Sequence, residues 1–185
     1  MEKIWQMWSG VLDDTTVENL ITECEKYSVY DATIGTDGTT QNDNYRNSEV
    51  RWIGGDSTPS SLLWNYAKEA NRNAFGFDID YLKDIQFTTY NASDNGKYDW
   101  HHDTFWGNPS RYDRKISVVI QLSDPEDYEG GEFEFDTQYE QPNKVELMKK
   151  GTVIAFPSFI PHRVTELTSG VRKSLVGWIE GPKFR

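Results

Sequence analysis

Residues 85–103 read IQFTTYNASDNGKYDWHHD. Ile85–Tyr90 alternates and is rich in β-branched and aromatic side chains, the pattern of a strand with one face in a core. Ala92–Gly96 is turn chemistry, and Asn95-Gly96 is the strong hairpin dipeptide. Tyr98–Asp103 reads as the next strand. Successive side chains on a strand take opposite faces, so His101 and Asp103 point one way and His102 the other. The chain has 3 histidines, and the third is His162. Two imidazoles and one carboxylate on one side of a metal leave its other side open. That arrangement suits a non-haem Fe(II) centre that binds a co-substrate and oxygen. An isolated His-x-Asp also fits a packed core histidine beside a turn cap, so the surrounding sequence has to decide.

Downstream, short strands separated by turns continue. Lys115–Leu122 (KISVVIQL) is a continuous apolar run, the signature of a strand buried on both faces. Ser123–Gly131 reads as a loop ending in Gly130-Gly131, a tight turn, and Glu132–Phe135 alternates. Val145–Met148, Thr152–Phe156, His162–Leu167 and Lys173–Trp178 read as further strands. Upstream, Met1–Leu12 suggests an opening strand. Asp13–Tyr27 has Val17, Leu20, Ile21 and Cys24 at helical spacing, with Thr15 and Glu18 as a capping box. Cys24 falls on the buried stripe, as a small core residue. Residues 28–47 are rich in Thr, Asn, Asp and Gly and read as a loop or loose hairpin, long enough to serve as a covering lid. Ser48–Ile53 returns to strand. Thr58-Pro59 caps a second helix with Leu62, Leu63, Tyr66, Ala67, Ala70 and Ala74 on its apolar face, ended by Gly76. Helices at the start followed by evenly spaced strands indicate an α+β domain with a closed or two-sheet β core.

The chain's 185 residues suffice for one domain. Its net charge of −11 repels phosphate backbones, which argues against nucleic acid as a partner. A single cysteine is compatible with a reducing compartment. No long apolar run resembles a membrane span, and the first residues lack a signal-peptide core, so the expectation is a cytoplasmic protein with no membrane partner.

The ordered set Tyr90, Tyr98-x-Trp100-His101-x-Asp103, Gly130-Gly131-Glu132-Phe133, Gly151-x4-Phe156-Pro157, His162-x-Val164, Gly170-x-Arg172-x-Ser174 and Trp178 resembles the Fe(II)- and 2-oxoglutarate-dependent oxygenases. The likeness is to their prolyl 4-hydroxylase-like branch, with its small bacterial and viral members. It runs from about Ile85 to Trp178. The resemblance implies a double-stranded β-helix (jelly roll) core at about 85–180, buttressed by helices at about 13–76, in one domain spanning 1–185. It implies His101, Asp103 and His162 as iron ligands and catalytic centre. It places Arg172 on the distal carboxylate of 2-oxoglutarate, where a planar guanidinium grips through two parallel hydrogen bonds. Arg172 stands where collagen-type prolyl hydroxylases carry lysine. Tyr90 and Ser174 are further 2-oxoglutarate contacts by the same resemblance. Fe(II), 2-oxoglutarate and O2 are implied as cofactor and co-substrates, with ascorbate as a possible reductant.

The implied reaction couples decarboxylation of 2-oxoglutarate to succinate and CO2 with hydroxylation of an unactivated C–H bond. A peptidyl proline in a peptide or protein substrate is the leading reading by subfamily likeness. The alternatives are an oxygenase of a free amino acid or other small molecule, and a non-catalytic jelly-roll binding module. The segments Tyr30–Asn47 and Thr104–Asp113, the second with Phe105, Trp106 and Tyr112, are expected to rim the site and clamp a peptide over it. Trp100 and Trp178 are expected to be core.

Overall fold

The computed structural model describes residues 4–33, 40 and 42–185. Part of the expected lid, residues 34–39 and 41, lies outside the described residues, as do residues 1–3 of the opening segment. The elements in chain order are β1 (Gln6–Trp8), α1 (Asp14–Cys24), β2 (Tyr30–Asp31), β3 (Arg46–Asn47), β4 (Glu49–Trp52), α2 (Thr58–Ala70), β5 (Tyr81–Asn91), β6 (Lys97–His101), β7 (Tyr112–Gln121), β8 (Tyr128–Gly130), β9 (Phe133–Phe135), α3 (Lys144–Met148), β10 (Val153–Pro157), β11 (His162–Val164) and β12 (Leu167–Pro182). They form two antiparallel sheets. The larger has the order β1-β10-β7-β12-β5-β4-β2, with β8 paired to β12, and the smaller has the order β3-β6-β11-β9.

Strand parity divides the larger sheet into a helix face and a site face. On β5, Ile85 and Phe87 enter the core with α1 and α2, while Gln86, Thr88 and Tyr90 face a cavity on the other side. On β7, Ile116, Val118 and Ile120 join that core. On β12, Leu175 and Ile179 do so, while Arg172, Ser174, Val176 and Trp178 face the cavity. A one-residue slip of either β5 or β12 would exchange the two sets, so the buried apolar face fixes the register. The helices contribute Val17, Leu20, Cys24, Leu63, Ala67 and Ala70. Gly177 lets α2 approach, because a Cβ there would lie 2.9 Å from Leu63 Cδ1.

Several local expectations are corrected. Helix α1 is capped by Asp13, whose side chain accepts from the Thr16 N–H, and not by a Thr15/Glu18 box. The cap lies two positions before Thr15, and its carboxylate reaches the amide three residues on. Ser57, accepting from Ser60 N–H, caps α2, and Thr58 is already helical. A π-turn at Asn71–Phe75 follows, closed by Gly76 at φ 67°. The Asn95-Gly96 turn makes no hairpin: β5 and β6 lie in different sheets, and the turn carries the chain between them. Residues 145–148 are helical rather than a strand, because the Asn143 side chain accepts from Glu146 N–H and starts a turn. Residues 128–130, read as loop, pair with β12. Strand β6 ends at His101, so Asp103 sits just past it.

Candidate active site

The two histidines lie side by side on neighbouring strands of the smaller sheet. His162 on β11 is in register with His101 on β6, and their ring centroids are 4.2 Å apart. Each Nδ1 is committed to a backbone carbonyl: His101 donates to Asp99 O at 2.7 Å and His162 to Ile160 O at 2.9 Å. A carbonyl only accepts, so the proton resides on Nδ1 and the Nε2 lone pair is exposed in both rings. The His101 Nε2 lies 3.8 Å from Asp103 Oδ1, and the His162 Nε2 lies 3.6 Å from Asp103 Oδ2. The three ligand atoms lie within 4.8 Å of one another, a spacing that one cation between them satisfies.

Asp103 is fixed from the larger sheet. Its N–H donates to Ser158 O at 2.7 Å, and its Oδ2 accepts from Ser117 Oγ at 2.6 Å. Ser117 and Ser158 hydroxyls are themselves bonded at 2.9 Å. Burial pushes the Asp103 carboxyl up, but His162, His101 and Ser117 outweigh it and hold it below its ordinary value. Burial, with His162 alongside, depresses His101 to about 3, so its imidazole is neutral and needs no deprotonation before it ligates. His101 is backed by Tyr98, stacked at 3.4 Å. His102 is exposed, facing away, as expected.

Below the triad is a cavity whose floor is the ladder of β5 against β12. Tyr90 pairs with Arg172 and Thr88 with Ser174, so the residues that the resemblance singled out lie side by side. Arg172 is 3% exposed. Its Nη2 donates to Gln121 Oε1 at 2.9 Å, and Gln121 in turn donates to Tyr128 Oη at 2.5 Å. Its Nη1 is buried without a hydrogen-bond partner, and among the described residues no carboxylate pairs with it. An unpaired buried guanidinium is costly, and a carboxylate from a bound ligand removes the cost. The donor set thus fits both iron and a dicarboxylic oxoacid. Gly131 keeps the Arg172 arm free of crowding, since a Cβ there would meet Arg172 Cδ at 3.2 Å. Lys173, one residue on, turns away and pairs with Glu25 at 2.7 Å.

Other residues in the cavity were not singled out from the sequence. Gln86 and Thr88 were readable, because they share the parity of Tyr90 on one strand. Gln121 and Ser117 lie on the site face of β7, but a continuous apolar run hides which face is which. Arg46, 7% exposed on β3, gave no signal within its polar segment. Trp178 lines the cavity, with its indole N–H buried and unpartnered. The aromatic rim is corrected: Phe105, Trp106 and Tyr112 do not line this cavity. Tyr112 belongs to β7 and packs on Tyr81, Trp106 is 56% exposed near Phe184, and Phe105 packs under Arg114.

The family model described as the 2OG-Fe(II) oxygenase superfamily matches residues 85–180. A PKHD-type hydroxylase of Synechococcus sp. (strain CC9311) is 38% identical over 96 residues, covering 51% of this chain and 41% of that protein. One of Parvibaculum lavamentivorans is 40% identical over 84 residues, covering 44% and 36%. The matches thus span about two-fifths of the length of these curated relatives. At the level of fold, the chain is similar to the viral collagen prolyl hydroxylase of Paramecium bursaria Chlorella virus-1, solved with 2OG. The TM-score is 0.71, at 21% identity, over 97% of both chains. A prolyl hydroxylase from Trichoplax adhaerens, solved with a hypoxia inducible factor peptide fragment, gives a TM-score of 0.74 at 16% identity, over 96% of this chain and 84% of that one.

Proposed function

Because the chain belongs to the 2OG-Fe(II) oxygenase superfamily, whose cofactor and co-substrates are Fe(II), 2-oxoglutarate and O2, we propose that it hydroxylates an unactivated C–H bond, with a peptidyl proline as the substrate. We read residues 1–185 as one domain, a jelly-roll core with α1 and α2 as its outer support. In this reading His101, Asp103 and His162 hold the iron, and Arg172, Tyr90 and Ser174 receive 2-oxoglutarate. The observation that carries it is the convergence of two free Nε2 lone pairs and one carboxylate above a buried guanidinium that lacks a partner.

Bound iron would supply the oxidising chemistry, which couples decarboxylation of 2-oxoglutarate to succinate and CO2 with transfer of one oxygen atom to the C–H bond. The chain's own residues hold and shield. Asp99 O and Ile160 O orient the two imidazoles, and Ser117 holds the carboxylate. Arg172 anchors the far end of the oxoacid, so that its other end points up at the triad. Val119, Phe133, Val164 and Val176 give the cavity apolar walls that exclude water. The peptide reading is supported by the names of the relatives and fold neighbours, which are hydroxylases and prolyl hydroxylases. No helix among the described residues is long and apolar enough to cross a membrane. The test is mass spectrometry of proline-containing peptides incubated with Fe(II), ascorbate and 2-oxoglutarate. Oxygen gained on proline is expected; oxygen gained only on free proline or another small molecule contradicts the peptide reading.

A further inference from the structure

The cavity holds a second buried guanidinium, that of Arg46. Arg46 reaches in from β3, with its Nη2 donating to Gln86 Oε1 at 2.7 Å, its Nη1 to Thr33 O at 3.3 Å and its Nε to Ser48 Oγ at 3.4 Å, so its nitrogens are hydrogen-bonded while its charge has no counter-charge. Its guanidinium lies over the Tyr98 ring at 4.3 Å, and Tyr98 lies on His101, so the charge is stacked directly behind an iron-ligand candidate. Among the described residues no carboxylate forms an ion pair with it. The Gln86 amide is oriented by chemistry: arginine only donates, so Oε1 faces it, and Thr88 Oγ1 also donates to that oxygen at 3.2 Å. The Nε2 protons of Gln86 take part in no hydrogen bond among the described residues. Gln86 is 3% exposed and lines the cavity, so the pair presents donors only.

The two guanidiniums meet β5 at different residues: Arg172 is the cross-strand neighbour of Tyr90, and Arg46 bonds Gln86. Gln86 itself stands opposite Val176. Four residues of strand put Gln86 about 13 Å from Tyr90 along β5, whereas the terminal carbons of 2-oxoglutarate are about 5 Å apart. An oxoacid anchored on Arg172 leaves Arg46 unmatched. Arg46 and Gln86 also line the adjoining cleft that carries the exposed Trp52 and Tyr30, so this end of the cavity opens outward.

We infer that Arg46 and Gln86 form a second carboxylate-reading position, which takes an anionic group of the prime substrate and so sets substrate specificity. This rests on the oxygenase reading, but not on proline as the target. The carboxylate belongs either to an acidic side chain beside the target residue in a peptide or to the α-carboxylate of a free amino acid. Either would place the target carbon between the two guanidiniums, beneath the triad.

The test is calorimetric binding to the full chain loaded with Mn(II) and 2-oxoglutarate. The probes are acetylated, amidated peptides with glutamate or glutamine on either side of a central proline, the same pairs with alanine in place of proline, and free L-proline. Glutamate peptides are expected to bind wild type about ten-fold more tightly than their glutamine partners. That preference is expected to vanish in Arg46→Gln, and in Gln86→Glu, where the new carboxylate satisfies Arg46 internally with no change in volume. Affinity for 2-oxoglutarate stays as in wild type in both variants. Binding of free L-proline that depends on Arg46, with no glutamate preference among the peptides, assigns the position to an α-carboxylate. A preference kept when alanine replaces proline leaves the inference standing even where the proline reading fails. The inference is overturned if wild type shows neither behaviour, if the preference survives in both variants, or if both variants lose 2-oxoglutarate instead.

Discussion

Arg172 donates one hydrogen bond from Nη2 to Gln121 and leaves Nη1 buried with no partner. A charge left in this state burdens the ligand-free protein and rewards whatever brings it a carboxylate.

Arg172→Ala should therefore have opposite effects on binding and folding. Affinity for 2-oxoglutarate, measured by calorimetry on the Mn(II)-loaded protein, is expected to fall by about 2–5 kcal/mol, the cost of losing one member of a desolvated charge pair. The melting temperature of the ligand-free protein should stay level or rise. Unchanged 2-oxoglutarate affinity would remove Arg172 from the co-substrate site.

Ser117 acts on the metal only through Asp103, to whose Oδ2 it donates at 2.6 Å. Ser117→Ala frees the carboxylate to rotate, and metal affinity is expected to drop about 10–100-fold. Ser117→Thr, which keeps the hydroxyl, should recover most of the loss. Equal affinity for all three proteins in a metal-competition titration would show that Ser117 does not position the ligand.

The contact between α2 and the larger sheet can be read by a double-mutant cycle. Leu63 is fully buried, so Leu63→Ala should cost about 2–5 kcal/mol in denaturant unfolding. Gly177→Ala puts a methyl 2.9 Å from Leu63 Cδ1 and should cost about 1–3 kcal/mol. The pair together should cost less than the sum, because the shorter side chain removes the clash. Strict additivity would mean that the two do not touch.

Cys24 should be chemically silent in the native protein. Burial, followed by Glu23 and Glu25, pushes its thiol up from 9.0 to about 12, so it stays protonated at neutral and mildly alkaline pH. Because the folded value exceeds the unfolded one, its contribution to stability is full below pH 9 and is lost as pH rises toward 12. Iodoacetamide at pH 8 should label it only after denaturation. Rapid native labelling would contradict its place in the core.

The clustering of His101, Asp103 and His162 was legible because local and distant signals coincided: alternation put His101 and Asp103 together, and the one histidine outside that stretch is His162. Strand parity likewise carried Tyr90, Arg172 and Ser174 onto one floor. The N-caps slipped by a residue or two because Asp13, Thr15, Ser57 and Thr58 are all competent caps, and the local backbone chooses among them. Residues 145–148 misled because a short apolar run does not tell strand from helix. Arg46 was hidden for another reason: β3 has two residues, and what buries its side chain is pairing with β6 across the sequence.

The metal assignment is tested most directly by titrating the metal-free protein with Fe(II) under anaerobic conditions, alongside Mn(II), and measuring ions bound per chain. One ion per chain is expected for wild type. His162→Ala should lose tight binding while its circular dichroism stays native, because His162 lies on a short strand of the smaller sheet, whereas α1 and α2 pack on the larger one. Wild-type stoichiometry and affinity in His162→Ala would contradict the assignment of His101, Asp103 and His162 as the iron site.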